Sequence, residues 1–178
     1  MGKISSGAKA GLVGGLLAGV IAGVITYSQM TIFKEEYMNI LRETLKEAFE
    51  KYGAQLPSGM SLDQLVEISY NTGRIWGSIG AIIVFIIIGV IVGLVYAVIY
   101  NKLPTKSPIL KALTLTLAIY VIWTIISETS AFSTGLPEPK TLPQWLIFSG
   151  YIIGFIEYAL LGAIMGALYY RWYMSTAG

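Results

Sequence analysis

Four stretches of this sequence, Gly11–Phe33, Ile75–Tyr100, Ile109–Ser127 and Trp145–Tyr170, approach or exceed the roughly 20 apolar residues that a helix needs to cross a bilayer core. Between them they contain only two charged residues, Lys111 and Glu157. Even where Ile and Val dominate, as in Ala81–Val95, the run is far longer than an ordinary strand, so each stretch reads as a helix. All six prolines (Pro57, Pro104, Pro108, Pro137, Pro139 and Pro143) fall between the stretches, marking turns and leaving the helix interiors uninterrupted. The sequence therefore predicts an all-α, polytopic membrane protein, with one four-helix membrane domain over residues 1–178. Composition agrees: 55% of residues are hydrophobic and 12% charged, where a soluble domain carries roughly a quarter charged.

Orientation follows from the basic residues near the ends of the stretches. Lys3 and Lys9 precede the first, Lys102, Lys106 and Lys111 lie between or just inside the second and third, and Arg171 follows the fourth; no acidic residue shares those segments. The opposite side holds Lys34–Arg74, with seven acidic and five basic residues, and the loop Glu128–Gln144 with Glu128, Glu138 and Lys140. This bias predicts a multi-pass protein of the cell membrane with both termini cytoplasmic. Trp76, Trp145, Phe148 and Tyr151 are expected at the outer interface, and Tyr96, Tyr100, Tyr169, Tyr170, Trp172 and Tyr173 as a ring at the inner one. Lys3 and Lys9 ahead of an apolar run imitate a secretory signal, but the run is longer than a signal core and is expected to be a retained first span.

Residues 34–74 are expected to form an external helical hairpin inserted between the first and second spans. Phe33, Tyr37, Ile40/Leu41, Leu45, Ala48/Phe49 and Tyr52 recur every three to four residues, opposite a charged face that includes the i,i+4 pair Glu47–Lys51. With no breaker between Gly23 and Gly53, the first span is expected to run straight into this arm. Gly53 and Leu56-Pro57-Ser58-Gly59 then turn the chain. Ser61-Leu62-Asp63-Gln64 matches a capping box opening a shorter helix that leads to the second span through Thr72-Gly73. Tyr37, Leu41, Leu45 and Phe49 are expected to pack against Leu62, Leu65, Val66 and Ile68.

The most specific pattern is a glycine ladder: Gly7, Gly11, Gly15, Gly19 and Gly23 recur every fourth residue, beside a parallel ridge of Ala10, Gly14, Ala18 and Ala22. Small residues at this spacing let helix backbones approach closely, which matters in lipid because no hydrophobic force draws helices together. Gly89 with Gly93 and Gly162 with Gly166 offer partner faces inside the chain; contact between subunits in a homo-oligomer, as in a glycine zipper, is the alternative. A weak internal repeat also appears. A shift of 73 residues carries Gly77, Ile79, Ile83, Gly89, Ile91, Gly93, Tyr96 and Tyr100 onto Gly150, Ile152, Ile156, Gly162, Ile164, Gly166, Tyr169 and Tyr173. Such a repeat implies two parallel helical hairpins related by an axis along the membrane normal.

Glu157 lies near the middle of the fourth stretch, and a carboxylate at that depth costs roughly 2.5–3.5 kcal/mol on insertion scales, so it is a functional candidate by default. Its repeat-related position is Val84, so the fold itself does not require a charge there. Gly150 and Gly154 on its side of the helix suggest a neighbouring backbone close by. Thr116, Tyr120 and Thr124, spaced every four residues on the third stretch, are the polar groups expected to reach it. In one reading Glu157 hydrogen-bonds Tyr120 or a backbone carbonyl as interhelical glue; in the other it binds or relays a cation or proton, or pairs with a basic residue of a partner.

The sequence has no His and no Cys, which excludes His-dependent triads and metal or redox centres built on imidazole or thiolate. It also lacks a G-x-S-x-G elbow, a P-loop and a dinucleotide fingerprint. No catalytic residue, cofactor, metal or nucleic-acid partner is expected. The chain reads as a small non-enzymatic integral membrane protein, an oligomer-forming or accessory subunit of a membrane complex packing through its glycine ladder. The alternative is a small channel or an ion- or proton-coupled transporter using Glu157. The expected partners are the lipid bilayer and either itself or other membrane subunits.

Overall fold

Long apolar runs free of internal proline can satisfy their backbone hydrogen bonds only within themselves, as helices. The computed structural model describes residues 2–53, 56, 59–133 and 143–174, and every regular element among them is helical. In order these are α1 (Lys3–Ile32), α2 (Lys34–Tyr52), α3 (Leu62–Ile99) followed by a short 3-10 turn (Tyr100–Lys102), α4 (Pro108–Ser133), and α5 (Gln144–Tyr169) ending in a π-helical turn (Tyr170–Met174). Four of them, α1, α3, α4 and α5, are long and apolar enough to cross a membrane. Most of the expected turn at residues 56–59 and of the loop 128–144 lies outside the described residues, although α4 continues helical to Ser133.

The buried residues of α1 are all small: Ser6, Gly7, Ala10, Gly11, Gly14, Gly15, Ala18, Gly19, Ala22 and Gly23. Its large side chains, Leu12, Leu16, Leu17, Val20, Ile21 and Val24, point outward. That is the inverse of a water-soluble helix, and it suits a solvent as apolar as leucine. The ladder from Gly7 to Gly23 lies against α3, backbone on backbone. Gly7 faces Gly93 and Ala97, Gly11 faces Gly89, Gly15 faces Phe85 and Ile86, and Gly19 and Gly23 face Ile82. The second ridge turns toward α5: Gly14 meets Met165, and Ala18 and Ala22 share a core cluster with Phe85, Tyr158 and Leu161. Gly162 and Gly166 face α4, at Leu113, Thr116, Ala112 and Ile109.

The arm differs from expectation in two places. The first span does not run straight into it: Phe33 (φ −102°, ψ 37°) separates α1 from α2. The ladder still passes through this kink, since Phe33 N–H donates to the Gln29 carbonyl and Tyr37 N–H to the Phe33 carbonyl. The Phe33 ring packs edge-on against Trp145 with centroids 4.7 Å apart, and α2 leans on the start of α3, where Arg42 and Asp63 form a 2.9 Å ion pair. Conversely, α3 has no break at Thr72-Gly73, because those residues weaken a helix by at most about 1 kcal/mol each without removing a hydrogen bond. The Ser61/Gln64 capping box therefore opens one helix of 38 residues. Val66 is buried toward the arm, with Leu62 and Leu65 half-buried, whereas Ile68, on the far side of the helix from Val66, is 51% exposed.

The internal repeat has a spatial counterpart. Gly89 and Gly93 face α1, and their shifted equivalents Gly162 and Gly166 face α4, the corresponding helix of the second hairpin. Tyr96 and Tyr169 meet at 5.0 Å, and Phe85 and Tyr158, also 73 residues apart, at 5.5 Å. Equivalent residues thus touch across the middle of the bundle. The relation fails between α1 and α4. The small ridge of α1 admits α5 closely, whereas α4 brings Leu115 and Ile119 toward the core and stays at side-chain distance from α3.

The glycine contacts separate into tight and open positions, which gives a direct check. A Cβ on Gly11 would lie within 3.0 Å of Gly89 and Gly93 backbone atoms, whereas Gly77 has nothing within 4 Å. Gly11→Ala is expected to cost about 1–3 kcal/mol as overpacking, and Gly77→Ala to leave stability unchanged or slightly raised, measured by thermal unfolding in detergent.

Candidate functional site

Glu157 sits on α5 one residue before Tyr158, whose ring contacts Phe85 of α3 and, at 5.3 Å, Tyr120 of α4. This layer is near the middle of the apolar length of α5. The helix turns Tyr158, Leu161, Gly162 and Met165 inward and leaves Glu157 on the flank, half-buried. Among the described residues its carboxylate makes no hydrogen bond or ion pair.

The three polar residues expected to reach Glu157 have other partners. Tyr120 donates its hydroxyl to the Tyr151 carbonyl at 2.7 Å, and its ring edge lies against Gly154, where a Cβ would come within 2.8 Å. Thr116 donates to the carbonyls of Ala112 and Leu113, and Thr124 to the Tyr120 carbonyl at 2.9 Å. Threonine hydroxyls inside apolar helices return to their own backbone in this way because no water is available to them. The stripe is a packing ridge: Ala112, Thr116 and Tyr120 fit a groove cut into α5 by Gly166, Gly162 and Gly154. The expectation of a close backbone beside Gly150 also fails, since nothing lies within 4 Å of it, and at Gly154 the neighbour is the Tyr120 side chain. A glycine in a sequence announces that something comes close, but not which atoms do.

The inner tyrosines were expected at the membrane interface, yet three of them fill the bundle. Tyr96 and Tyr169 are fully buried and Tyr100 nearly so, their rings 5.0 to 5.5 Å apart, while Tyr170 is exposed. Tyr96 donates its hydroxyl to the Pro108 carbonyl. The hydroxyl of Tyr169 and Oγ of Ser6 are buried without a hydrogen-bond partner among the described residues. Close approach of the helices at Gly93 and Gly166, one turn earlier, makes this a layer where large flat rings meet inside.

Two basic residues have a structural role beyond setting the charge balance of the two ends. Lys111 is only 8% exposed; its Nζ donates to the Tyr100 carbonyl at 2.7 Å and lies 4.1 Å from the Tyr100 ring centroid. A cation on carbonyls at the C-terminal end of α3 is favourable both as a charge-assisted hydrogen bond and against the helix dipole. Arg74 stacks between Tyr27 and Tyr70, at 4.8 and 5.5 Å, at the other end of α1 and α3. The i,i+4 spacing of Tyr70 and Arg74 was a readable signal. Nothing in the sequence pairs Lys111 with a carbonyl eleven residues earlier.

Tyr120→Phe is expected to lower stability by about 0.5–1.5 kcal/mol, the usual net value of one hydrogen bond. Lys111→Met should cost about 1.5–3 kcal/mol, because it removes a bond to a charged donor. Both are read from denaturation of the purified protein, and Tyr120→Phe should leave any property that depends on Glu157 untouched. Comparisons with protein families, curated proteins and solved structures found no match to this chain.

Proposed function

We propose that this chain is a non-enzymatic integral membrane protein that spans the cell membrane four times and serves as an oligomer-forming or accessory subunit of a membrane complex. The observation that carries this reading is Glu157: a half-buried carboxylate at mid-length of an apolar helix with no partner of its own among the described residues. Such a group is costly unless something outside the chain satisfies it, and a basic or hydrogen-bonding side chain of a neighbouring subunit does so. The contact surface is then the Glu157 flank of α5. The glycine ladder is unavailable for this purpose, because α3 already covers it.

The charge distribution supports a topology with both termini cytoplasmic and with α2 and the first turns of α3 as an external hairpin. No residue of α2 is buried, and its contacts with α3 include the surface Arg42–Asp63 pair and Lys34 over the Tyr70 ring. Because the chain has no Cys, introduced thiols report unambiguously. Lys46→Cys is expected to react with an impermeant reagent from outside the cell and Lys106→Cys only after the membrane is opened. The reverse pattern would overturn the orientation.

A second reading, a small channel or cation- or proton-coupled carrier, draws on the same unpartnered carboxylate, with a bound ion or proton in place of the partner side chain. Glu157→Gln distinguishes the two. As a subunit, the wild type co-purifies with itself or a partner in mild detergent, and the variant loses that association by at least about tenfold, as expected when one member of a buried charge pair is truncated. As a carrier, the variant assembles normally but loses cation or proton flux in proteoliposomes. A wild-type protein that is strictly monomeric, without partners, sinks the subunit reading.

A further inference from the structure

Five lysines, Lys3, Lys9, Lys102, Lys106 and Lys111, lie toward one end of the bundle, and no acidic residue lies in the segments that carry them. The other end mixes both signs, as the Arg42–Asp63 pair illustrates. Like charges gathered without acids need counter-charge from outside the chain, or their mutual repulsion opposes folding. Two features show what form that counter-charge takes. Lys102 and Lys106 are exposed on the turn joining α3 to α4, and the Lys111 ammonium is held beneath that turn on the Tyr100 carbonyl, so three positive groups occupy one short connection. The exposed Tyr170 and the half-buried Trp172 and Tyr173 accompany this end, and rings of that kind sit at the level of lipid headgroups. A surface both aromatic and rich in lysine at the end of a bundle with apolar flanks complements an anionic lipid layer, not a soluble anion.

We propose that the α3–α4 turn, through Lys102 and Lys106 and held in place by Lys111, engages the headgroups of anionic phospholipids and makes the protein selective for them over zwitterionic ones. This inference rests on the reading of the chain as a membrane protein. Each exposed lysine near an anionic surface contributes about a fivefold preference. Lys111 anchors the turn to the end of α3, so its own substitution also loosens the fold; the exposed pair is the cleaner probe.

The test reconstitutes the full chain in vesicles of equal phosphatidylglycerol and phosphatidylcholine, releases it in detergent, and counts the lipids retained on the intact protein by native mass spectrometry. The wild type is expected to retain phosphatidylglycerol in excess, less so when reconstituted at high salt. The double variant Lys102→Gln/Lys106→Gln should lose that excess by on the order of twentyfold, with unchanged thermal stability in phosphatidylcholine alone. The matched variant Lys34→Gln/Lys46→Gln, at the opposite end, should keep it. Equal retention of both lipids by the wild type overturns the proposal, and so does competition by inorganic phosphate at concentrations comparable to the lipid phosphate. A protein that fails to enter vesicles of any composition overturns the membrane reading itself, a separate outcome.

Discussion

The contact of α1 with α3 brings two backbones together with no side chain between them, at Gly7, Gly11 and Gly15 on one helix and at Phe85, Gly89 and Gly93 on the other. Dispersion attraction and short-range packing act across the whole length of this seam, and they are the forces left to a helix pair in an apolar solvent. Because every buried residue of α1 is small, its large side chains have no place except outside. The seam also decides where α5 goes. With its glycine edge on α3, α1 turns its Ala10–Gly14–Ala18–Ala22 edge to α5, and Met165 and Leu161 close on it.

The second hairpin repeats this idea with different atoms. Gly162 and Gly166 hold the positions of Gly89 and Gly93, yet the helix they receive is α4, whose Thr116 and Tyr120 bring bulk and polarity into the groove. The threonine hydroxyls return to their own helix and the tyrosine reaches the Tyr151 carbonyl, so the α4–α5 seam is internally satisfied. With Tyr120 committed to Tyr151, no described side chain of α4 hydrogen-bonds Glu157. The carboxylate is therefore exceptional in the molecule, a costly group outside the hydrogen-bonding system that surrounds it. The described fold accommodates it without using it, and the proposed partner, ion or proton rests on that observation.

Electrostatics are arranged by end and by side-chain length. Lys111 and Arg74, at opposite ends of the apolar layer, lie against a carbonyl and against tyrosine rings, not acids, and Nε of Arg74 is buried without a hydrogen-bond partner among the described residues. Long basic side chains of this kind pack their stems as hydrocarbon and carry their polar heads to the edge of the apolar layer. The remaining lysines at the Lys111 end have no acidic neighbour in sequence to balance them.

Residue type alone determined that the chain is helical, that it carries four apolar helices and roughly where each ends, where the capping box at Ser61 opens a helix, and that Glu157 is the one acidic residue inside an apolar run; α1 and α3 begin 8 and 13 residues before the apolar stretches do. Those properties follow from local chemistry: hydropathy over twenty residues, the missing N–H of proline, the short reach of a serine hydroxyl. Only the tertiary structure decided which helix the glycine ladder meets, that Tyr96 and Tyr169 turn into the bundle, that Phe33 bends the path into the arm, and that Thr116 and Tyr120 belong to a packing seam, and the Thr124 hydroxyl to its own helix, instead of to Glu157. The reason is geometric. A stripe at i,i+4 spacing declares that one face is special, but its partner is chosen by relative helix rotation and tilt, and these depend on every other seam in the bundle at once.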